Sequence, residues 1–383
     1  MLEISLLLIG MILYAYLGYF ILVFVLSIFV DKKVEKAEIF PKLALVIAAY
    51  NEELDIESKI LNSLELDYPK ENLKIIVVSD GSTDETDAIV SRYQSRGVEL
   101  IRIEGRVGKT EARNQALKKI DSEIIVFSDA TTIYEKNSLK MLVRNFADRK
   151  VGMVAGRLQY IVPAGSHMGF GQKIFWNYEN EIKKCQTKLG TLTGSLGCMT
   201  AFRKSYYTDL PSNIIEDFTE PLMFIQKGFR VVYEPEALCF EKTTQKAKEE
   251  FSMRVRVIRG GMTGLSYARR VLNPLTYPAA SFQLVSHKII RWLVPVFAIL
   301  AFISSVIDML ITQTVLSQII FGLQVLFYSL TALSFFMGKL QIKIPFISLF
   351  QYLFVVNLAA LHALVKFSTS KLEATWEPQR KLT

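Results

Sequence analysis

The sequence predicts an α/β domain, with a doubly wound and mostly parallel sheet, flanked by transmembrane helices, one N-terminal and about three C-terminal. In the middle of the chain, short runs rich in valine and isoleucine alternate with amphipathic helical stretches, which is typical of a parallel sheet covered on both faces. Long apolar stretches stand near both ends. Hydrophobic residues make up 51% of the 383 residues and mean hydropathy is +0.27, which favours membrane segments over a wholly soluble enzyme.

The strands and helices of the middle domain follow from these runs. The predicted strands are Leu43–Ala49, Lys74–Ser79 and Glu123–Ser128, and the helical stretches follow Glu53, Thr83, Lys109 and Asn137. The predicted organisation is an anchor over 1–31, a cytoplasmic α/β domain over 41–261, an interfacial amphipathic segment over 265–291, transmembrane helices over 292–367 and a tail over 368–383.

The first apolar stretch, Ile4–Val30, carries no charged residue and can cross a hydrocarbon core of about 30 Å. It lacks a basic region before it and a small-residue cleavage site after it, so we expect a retained anchor rather than a removed signal peptide. Lys32, Lys33 and Lys36 follow directly, and lysines at this end predict that the domain is cytoplasmic. The net charge of +8 suits an anionic membrane surface, and no nucleic-acid recognition module is recognised.

The C-terminal stretches leave one question open. They run over Trp292–Leu310, Thr312–Met337 and Ile344–Val365. Three crossings would place the C-terminus outside, although the tail is basic. The last stretch also contains Gln351, Asn357 and His362, which are costly facing lipid. Either this stretch is re-entrant, or its polar groups face a protein interior. Leu272–Arg291 predicts a helix that lies on the membrane surface.

Acidic and polar residues follow three of the predicted strands. Tyr50, Glu52 and Glu53 follow the first strand, Asp80 the second and Asp129 the third. Either aspartate alone could cap a helix or form a turn. Because ligands of open parallel sheets bind at the carboxyl ends of strands, the two aspartates together predict a binding site at this edge. The three cysteines fit neither a zinc site nor a disulfide framework.

Seven motifs occur in a fixed order along the chain. They are IAAYNEE (47–53), VVSDGSTDET (77–86), GKTEARNQAL (108–117), VFSDATT (126–132), GSLGCMTAFRK (194–204), IIEDF (214–218) and KGFRVVYEPEA (227–237). Together they resemble the membrane-bound branch of inverting family 2 glycosyltransferases with the GT-A fold, which is related to polysaccharide synthases. The resemblance implies sugar transfer from a nucleotide-diphosphate sugar, UDP first and GDP second, to a polysaccharide or lipid-linked acceptor. It also implies an integral protein of the cytoplasmic membrane.

The resemblance implies a role for several residues in binding the donor. Asp129 matches the first aspartate of the family's D-x-D element and would hold Mg²⁺ or Mn²⁺ against the diphosphate. The third position of that element is Thr131, which removes the second carboxylate. Asp80 matches a residue that holds the nucleotide, with Tyr50 and Glu52 or Glu53 lining the same pocket. Lys109 and Arg113 are placed to face phosphate or to structure the adjacent loop.

The same resemblance implies the catalytic and acceptor residues. Asp217 matches the base that activates the acceptor hydroxyl, and Glu216 is the second candidate. Gly194, Gly197 and Cys198 would shape the acceptor pocket.

The family's Q-x-x-R-W element is altered in this chain. Arg256 stands at its arginine, but Met253 and Val257 replace the glutamine and tryptophan. Arg256 and Arg259 can still bind pyrophosphate. Trp176 either replaces the missing tryptophan as an acceptor platform or packs in the core.

The motifs leave several functions open. Processive synthesis and single-sugar addition are both compatible with the motifs. The altered D-x-D and Q-x-x-R-W elements also permit a non-catalytic nucleotide-sugar-binding component of a polysaccharide export complex, with export proteins as partners. A transporter would need more spans or partners, because the membrane part is small and carries no repeat.

Overall fold

The computed structural model describes residues 1–162, 168–242, 247–340 and 345–370. The predicted tail therefore lies outside the described residues from residue 371 onward. The described helices are α1 (Leu2–Leu13), α2 (Tyr19–Phe29), α3 (Ile56–Leu64), α4 (Thr86–Ser91), α5 (Lys109–Leu117), α6 (Ser138–Val143), α7 (Met168–Leu189), α8 (Glu216–Gln226), α9 (Ala247–Tyr267), α10 (Pro278–Gln283), α11 (Ile290–Thr312), α12 (Val315–Lys339) and α13 (Pro345–Thr369).

An eight-stranded mixed sheet forms the centre of the α/β domain. Its strands are β1 (Leu43–Ala49), β2 (Leu73–Asp80), β3 (Val98–Ile103), β4 (Ile124–Asp129), β5 (Ile133–Tyr134), β6 (Val151–Ile161), β7 (Met199–Arg203) and β8 (Arg230–Lys242). The strand order is β3-β2-β1-β4-β7-β6-β8-β5. The first four strands of this order are mutually parallel, β7 is antiparallel to both of its neighbours, and β6 pairs in parallel with β8.

The apolar strands are buried on both faces, as predicted. Along β1, Leu43, Leu45 and Ile47 enter one hydrophobic cluster, whereas Ala44 and Val46 enter the cluster on the opposite face. This alternation arises because successive side chains of a strand point to opposite faces of the sheet. β2 and β4 each extend one residue beyond their predicted ends, so that Asp80 and Asp129 are the last residues of their strands.

Four helices of the described residues are long and apolar enough to cross a membrane. A π-helical turn joins α1 to α2 in one helix, Leu2–Phe29, and another joins α10 to α11 in the helix Pro278–Thr312. The remaining two are α12 and the helix Phe346–Thr369. No break separates the predicted interfacial segment from the first C-terminal span, because residues 278–291 continue directly into it. The position of this segment at a membrane surface stays a prediction.

Both ends of α13 contact helices of the α/β domain. Near its start, the Phe346 ring lies 6.1 Å from the Phe170 ring of α7. At its other end, Arg259 of α9 donates to the carbonyl oxygen of Ser370 at 2.6 Å. These contacts tie both ends of α13 to the α/β domain, while its path relative to a membrane stays a prediction.

Two of the polar groups on α13 that the sequence marks as costly in lipid have protein partners. Asn357 Nδ2 donates to the hydroxyl of Tyr16 at 2.8 Å, and Gln351 Oε1 accepts from Ser334 at 3.4 Å. The prediction that such groups face a protein interior is confirmed for these two residues. Hydrogen bonds thus satisfy the Asn357 nitrogen and the Gln351 oxygen, whereas the buried Oδ1 of Asn357 has no partner among the described residues.

Candidate active site

The carboxyl ends of β1, β2 and β4 meet the beginnings of α5 and α8 at one edge of the sheet. Asp80 ends β2 and Asp129 ends β4. Lys109 is the first residue of α5, and Glu216 and Asp217 open α8. The sheet therefore brings together residues that lie more than 100 positions apart in the sequence.

Two cations bridge two of the carboxylates at this edge. Lys109 Nζ lies 2.8 Å from Asp129 Oδ1 and 3.4 Å from Glu216 Oε1. Arg113 reaches the same two oxygen atoms, at 3.3 Å and 2.6 Å, and its side chain is 1% exposed. Arg113 also donates to the carbonyl oxygen of Gly197 at 3.2 Å. Arg113 thus has a structural role that ties β4, α8 and the segment before β7 together.

Asp217 differs from Asp129 and Glu216, because no cationic side chain among the described residues forms an ion pair with its carboxylate. Burial and the adjacent Glu216 charge raise the pKa of the Asp217 carboxyl to about 6. Its Oδ1 is enclosed and has no hydrogen-bond partner among the described residues. The backbone carbonyl of Asp217 accepts from both the N–H and the hydroxyl of Ser195, at 2.9 Å and 2.8 Å. The carboxylate is thus positioned by its backbone and poised to take up a proton near neutral pH.

Glu216 has the opposite electrostatic character. Although burial opposes its charge, Lys109 and Arg113 lower the pKa of the Glu216 carboxyl to about 2. Its Oε2 also accepts from the Thr110 hydroxyl at 3.0 Å. A carboxylate held this firmly as an anion is a weak proton acceptor. The geometry therefore favours Asp217 over Glu216 as the base.

Glu220 lies one helical turn beyond this pair and was missed by the sequence reading. It is buried, and its Oε1 has no hydrogen-bond partner among the described residues. Burial and the Glu216 charge raise the pKa of the Glu220 carboxyl to about 8. Glu220 follows Asp217 by three residues and Glu216 by four. On a helix this spacing places the three carboxylates on one face, which could have predicted Glu220 from the sequence.

Asp80 holds the loop that leads into α5. Its Oδ1 and Oδ2 accept from the backbone N–H groups of Val107 and Gly108, at 2.8 Å and 2.9 Å. The turn after β2 lies against the same loop, because a Cβ on Gly81 (φ +68°) would be 2.3 Å from the Gly105 carbonyl oxygen. Asp80 thereby fixes the direction in which Lys109 enters the site, while its contact with a nucleotide stays a prediction.

The residues after β1 line the candidate site on the side of β2 and α4. The guanidinium of Arg106 lies 4.0 Å from the centroid of the Tyr50 ring, a pairing that the sequence reading missed. The Glu52 N–H donates to the Thr86 hydroxyl at 2.8 Å, and Glu53 Oε2 accepts from the Glu85 N–H at 3.1 Å. Glu52 and Glu53 thus tie this loop to the start of α4. Tyr50 and Arg106 provide a flat, partly exposed surface on which the nucleobase of a nucleotide could stack.

Asp129 and the Thr131–Glu241 pair two residues further along the chain offer hard oxygen donors suited to a divalent cation. The Asp129 side chain is 33% exposed, and the Thr131 hydroxyl donates to Glu241 Oε1 at 3.2 Å. Within the described ranges, no group of three or more His, Cys, Asp or Glu side chains could hold a metal ion. The donor set fits Mg²⁺ or Mn²⁺ bound through one or two carboxylates together with phosphate oxygens and water. Glu241 was missed because it lies 110 positions from Thr131, on β8.

Of the two predicted acceptor glycines, Gly197 lies closer to Asp217, the candidate base. A Cβ on Gly197 would be 2.1 Å from Asp217 Oδ1, whereas one on Gly194 would meet only Lys288, at 4.0 Å. Cys198 is buried, and a contact with Cys239 together with burial raises the pKa of its thiol. The Trp176 ring centroid lies 5.7 Å from that of Tyr160. The Arg254 guanidinium carbon lies over the Trp176 ring, 5.5 Å from its centroid. These contacts favour the packing role of Trp176.

The arginines of α9 occupy different environments. Arg259 contacts Ser370 at the end of α13, and the structure does not bring it to the carboxylates. Arg254 forms a buried ion pair with Glu250 at 2.7 Å. Arg256 lies one helical turn before Gly260, where a Cβ would clash with Ile215 at 2.0 Å. Because Ile215 directly precedes Glu216, this face of α9 adjoins the start of α8, and the binding of pyrophosphate by Arg256 stays a prediction.

Comparison with known proteins shows which proteins the α/β domain is similar to. Residues 44–210 match the family model Glycosyl transferase family 2, so the chain contains a family 2 glycosyltransferase domain. Poly-beta-1,6-N-acetyl-D-glucosamine synthase of Staphylococcus aureus (strain COL) is 29% identical over 226 residues, which cover 57% of this chain and 54% of the relative. The corresponding synthase of Staphylococcus epidermidis is 26% identical over the same length. The chain thus spans about half the length of the curated relatives it matches.

The fold is also that of a solved structure. The mannosyltransferase PcManGT from Pyrobaculum calidifontis, in complex with GDP-Man and Mn²⁺, superposes with a TM-score of 0.74 at 20% identity. The superposition covers 96% of this chain and 99% of that protein. The predicted GT-A fold with flanking apolar helices is therefore confirmed.

Proposed function

We propose that the protein transfers a sugar, with inversion, from a nucleotide-diphosphate sugar to a polysaccharide or lipid-linked acceptor at the cytoplasmic face of a membrane. One observation carries this proposal: Asp217, a proton acceptor with a pKa of about 6, lies at the same strand-end site as the Lys109–Asp129 pair. A base and a phosphate-binding group are the two parts that direct displacement at an anomeric carbon requires.

Asp217, Lys109 and Asp129 have different roles in a single displacement step. Asp217 takes the proton from the acceptor hydroxyl as its oxygen attacks the anomeric carbon. The bond to the donor's diphosphate breaks on the opposite face, and the nucleoside diphosphate leaves with the electron pair. Lys109 supplies positive charge beside Asp129, 2.8 Å away, where the leaving diphosphate would lie. When bound at Asp129, Mg²⁺ or Mn²⁺ would neutralise that diphosphate further.

The names of the relatives indicate which nucleotide-sugars should be tested as donors. The Staphylococcus relatives are named for a polymer of N-acetyl-D-glucosamine, which favours an N-acetylglucosaminyl donor. PcManGT was solved with GDP-Man, so GDP-mannose belongs in the same panel. The cytoplasmic orientation is supported by Lys32, Lys33 and Lys36 directly after the first apolar helix.

The test is release of nucleoside diphosphate by the purified protein in detergent, with Mg²⁺ or Mn²⁺ and a panel of nucleotide-sugars. We expect release from one donor, with Asp129→Ala and Asp217→Asn reducing it to background. Asp209→Asn is the matched control, because that carboxylate is 52% exposed and pairs with Lys118 at 3.5 Å on the surface. Undiminished release in Asp217→Asn would refute the assignment of the base.

A second candidate is a non-catalytic nucleotide-sugar-binding component of an export complex. Thr131 in the altered D-x-D element and Val257 in the altered Q-x-x-R-W element favour it. Donor binding by titration, without turnover in the presence of added membrane lipid, would support this candidate over transfer.

A further inference from the structure

We propose that a basic pocket between the end of the first apolar helix and the end of α7 binds the phosphate of an anionic phospholipid of the cytoplasmic leaflet. The inference depends on the predicted membrane crossing of the helix Leu2–Phe29 and is independent of sugar transfer. The pocket has a volume of about 270 Å³. This is below the range of about 300–1,000 Å³ that is typical of sites enclosing a drug-sized ligand, so the pocket suits a head-group phosphate rather than a whole lipid.

The lining of the pocket is strongly basic. Its charged side chains are four lysines and one aspartate, with a formal charge of +3: Lys32, Lys33, Lys36, Lys188 and Asp31. The Lys36 charge is neutralised, because its Nζ lies 2.7 Å from Oε2 of the fully buried Glu234. Lys32, Lys33 and Lys188 are exposed, and no carboxylate in the part of the chain that the structure describes forms an ion pair with them. An anion bound among these three amines would relieve their mutual repulsion.

The loop that carries Lys32 and Lys33 is fixed to the α/β domain through its backbone. The Lys32 N–H donates to the carbonyl oxygen of Lys188 at 2.8 Å. Arg230 donates to the carbonyl oxygens of Lys32 and Lys33, at 2.7 Å and 3.0 Å. These bonds hold the loop beside the end of α7 without using any lysine amine. The pocket is therefore preformed, and a ligand need not order the loop in order to bind.

A neutral donor stands among the lysines. Thr187 lines the pocket, and its Oγ1 accepts from the backbone N–H of Tyr233 at 2.9 Å. A hydroxyl that accepts in this way keeps its own proton for a second partner. Phosphate oxygens accept several hydrogen bonds at once, so Thr187 and the three amines match one phosphate group.

An exposed apolar surface ends beside the pocket. Phe24, Ile28 and Phe29, on the last turns of α2, are each at least 50% exposed. Phe29 precedes Asp31, the first residue of the lining, by two positions. In the predicted orientation this surface contacts hydrocarbon, and the lysines that follow it stand at the level of the head groups. A phospholipid presents its chains and its phosphate in the same order, whereas a soluble phosphate would use the pocket alone. The apolar surface therefore favours the lipid.

The experiment measures lipid retention by the full chain. The protein is delipidated in detergent and offered phosphatidylglycerol in the presence of excess phosphatidylcholine, and the retained lipid is counted by native mass spectrometry. The variant Lys32→Gln/Lys188→Gln removes two charges of the lining. The matched control Lys118→Gln/Lys119→Gln removes two exposed charges at the end of α5, outside the lining. A second arm adds excess glycerol 3-phosphate, which carries the phosphate without the chains.

We expect the unaltered protein and the control variant to retain one equivalent of phosphatidylglycerol. The affinity should fall about 30-fold in Lys32→Gln/Lys188→Gln, because a lysine near an anionic lipid surface contributes about 1 kcal/mol and about 1.4 kcal/mol is tenfold. Lys32→Arg/Lys188→Arg, which keeps both charges, should restore retention, whereas a loss caused by misfolding would persist in it. Equal affinity of the two glutamine variants would overturn the pocket. Displacement of the lipid by glycerol 3-phosphate would overturn the phospholipid as its occupant.

Discussion

Gly197 and Asp217 pack so closely that a Cβ atom at residue 197 would lie 2.1 Å from Oδ1 of the carboxylate. The two residues are 20 positions apart, on the segment before β7 and at the start of α8. No real Cβ atom sits that near an oxygen, so any larger residue at 197 must displace the carboxylate. The glycine therefore sets the position of the candidate base as well as the space for an acceptor.

Gly197→Ala should lower kcat for sugar transfer by about 10²-fold, because a base displaced by about 1 Å no longer meets the acceptor hydroxyl. Gly194→Ala is the control, since its Cβ would meet only Lys288, at 4.0 Å. The measurement is steady-state release of nucleoside diphosphate, with circular dichroism to check the fold. Equal kcat values for the two variants would show that the close packing does not position the base.

The pH dependence of transfer should report the raised pKa of Asp217. The base works when deprotonated, so kcat/KM should rise with pH through a midpoint near the pKa of about 6. The Lys109 charge lowers the pKa of Asp217 and the Glu216 charge raises it. The midpoint should therefore move to higher pH in Lys109→Gln and to lower pH in Glu216→Gln. Lys118→Gln, at an exposed residue after α5, should leave it in place.

Glu220 should make the stability of the α/β domain dependent on pH. Its pKa of about 8 in the folded protein lies above its ordinary value of 4.5, so the folded state keeps a proton that the unfolded chain releases between those values. The contribution of Glu220 to the free energy of unfolding is then greatest below pH 4.5 and declines as pH rises toward 8. Glu220→Gln should gain in Tm relative to the unaltered protein as pH rises from 5 to 8. Glu181→Gln, at a carboxylate 52% exposed, should show no such trend.

Glu241 should contribute to binding of the divalent cation, because it accepts the hydroxyl of Thr131 beside Asp129. Glu241→Gln should weaken Mn²⁺ binding about tenfold in the presence of a nucleoside diphosphate, as the loss of an oriented outer carboxylate typically does. Electron paramagnetic resonance of free Mn²⁺ measures this without catalysis. Glu236→Gln is the control on the same strand, at a carboxylate that is 63% exposed. Unchanged Mn²⁺ affinity in Glu241→Gln would show that Glu241 does not contribute to binding of the cation at Asp129.

The C-terminal end of α13 should lie on the same side of the membrane as the α/β domain, because Ser370 contacts Arg259. The three native cysteines are buried, so introduced cysteines can be labelled selectively with an impermeant maleimide. Ser370→Cys and Asp209→Cys should react from one side, and Thr312→Cys, at the end of α11, from the other. Labelling of Ser370→Cys with Thr312→Cys would establish a third crossing instead.

Much of the framework could be predicted from local pattern. The first strand was predicted with its observed ends, Leu43–Ala49, because a run of seven apolar residues bounded by polar ones has few other structures available. The predicted boundary after Arg291 lies inside one continuous helix, Pro278–Thr312, which includes a π-helical turn. The position of the preceding segment at a membrane surface stays a prediction. Composition marks where polar groups occur, and only packing shows whether a helix ends there.

The sequence by itself determined the alternation of strands and helices, the apolar helices at both ends and the placement of Asp80 and Asp129 at strand ends. These features depend on periodicity and on neighbours in the chain. Only the tertiary structure decided which carboxylate has a raised pKa, since Glu216 lies within reach of Lys109 and Arg113 and Asp217 lies against Gly197. It also decided that Glu241 meets Thr131 across 110 positions. The physical reason is that charge interactions fall off with distance in space, and folding makes residues neighbours that no local pattern joins.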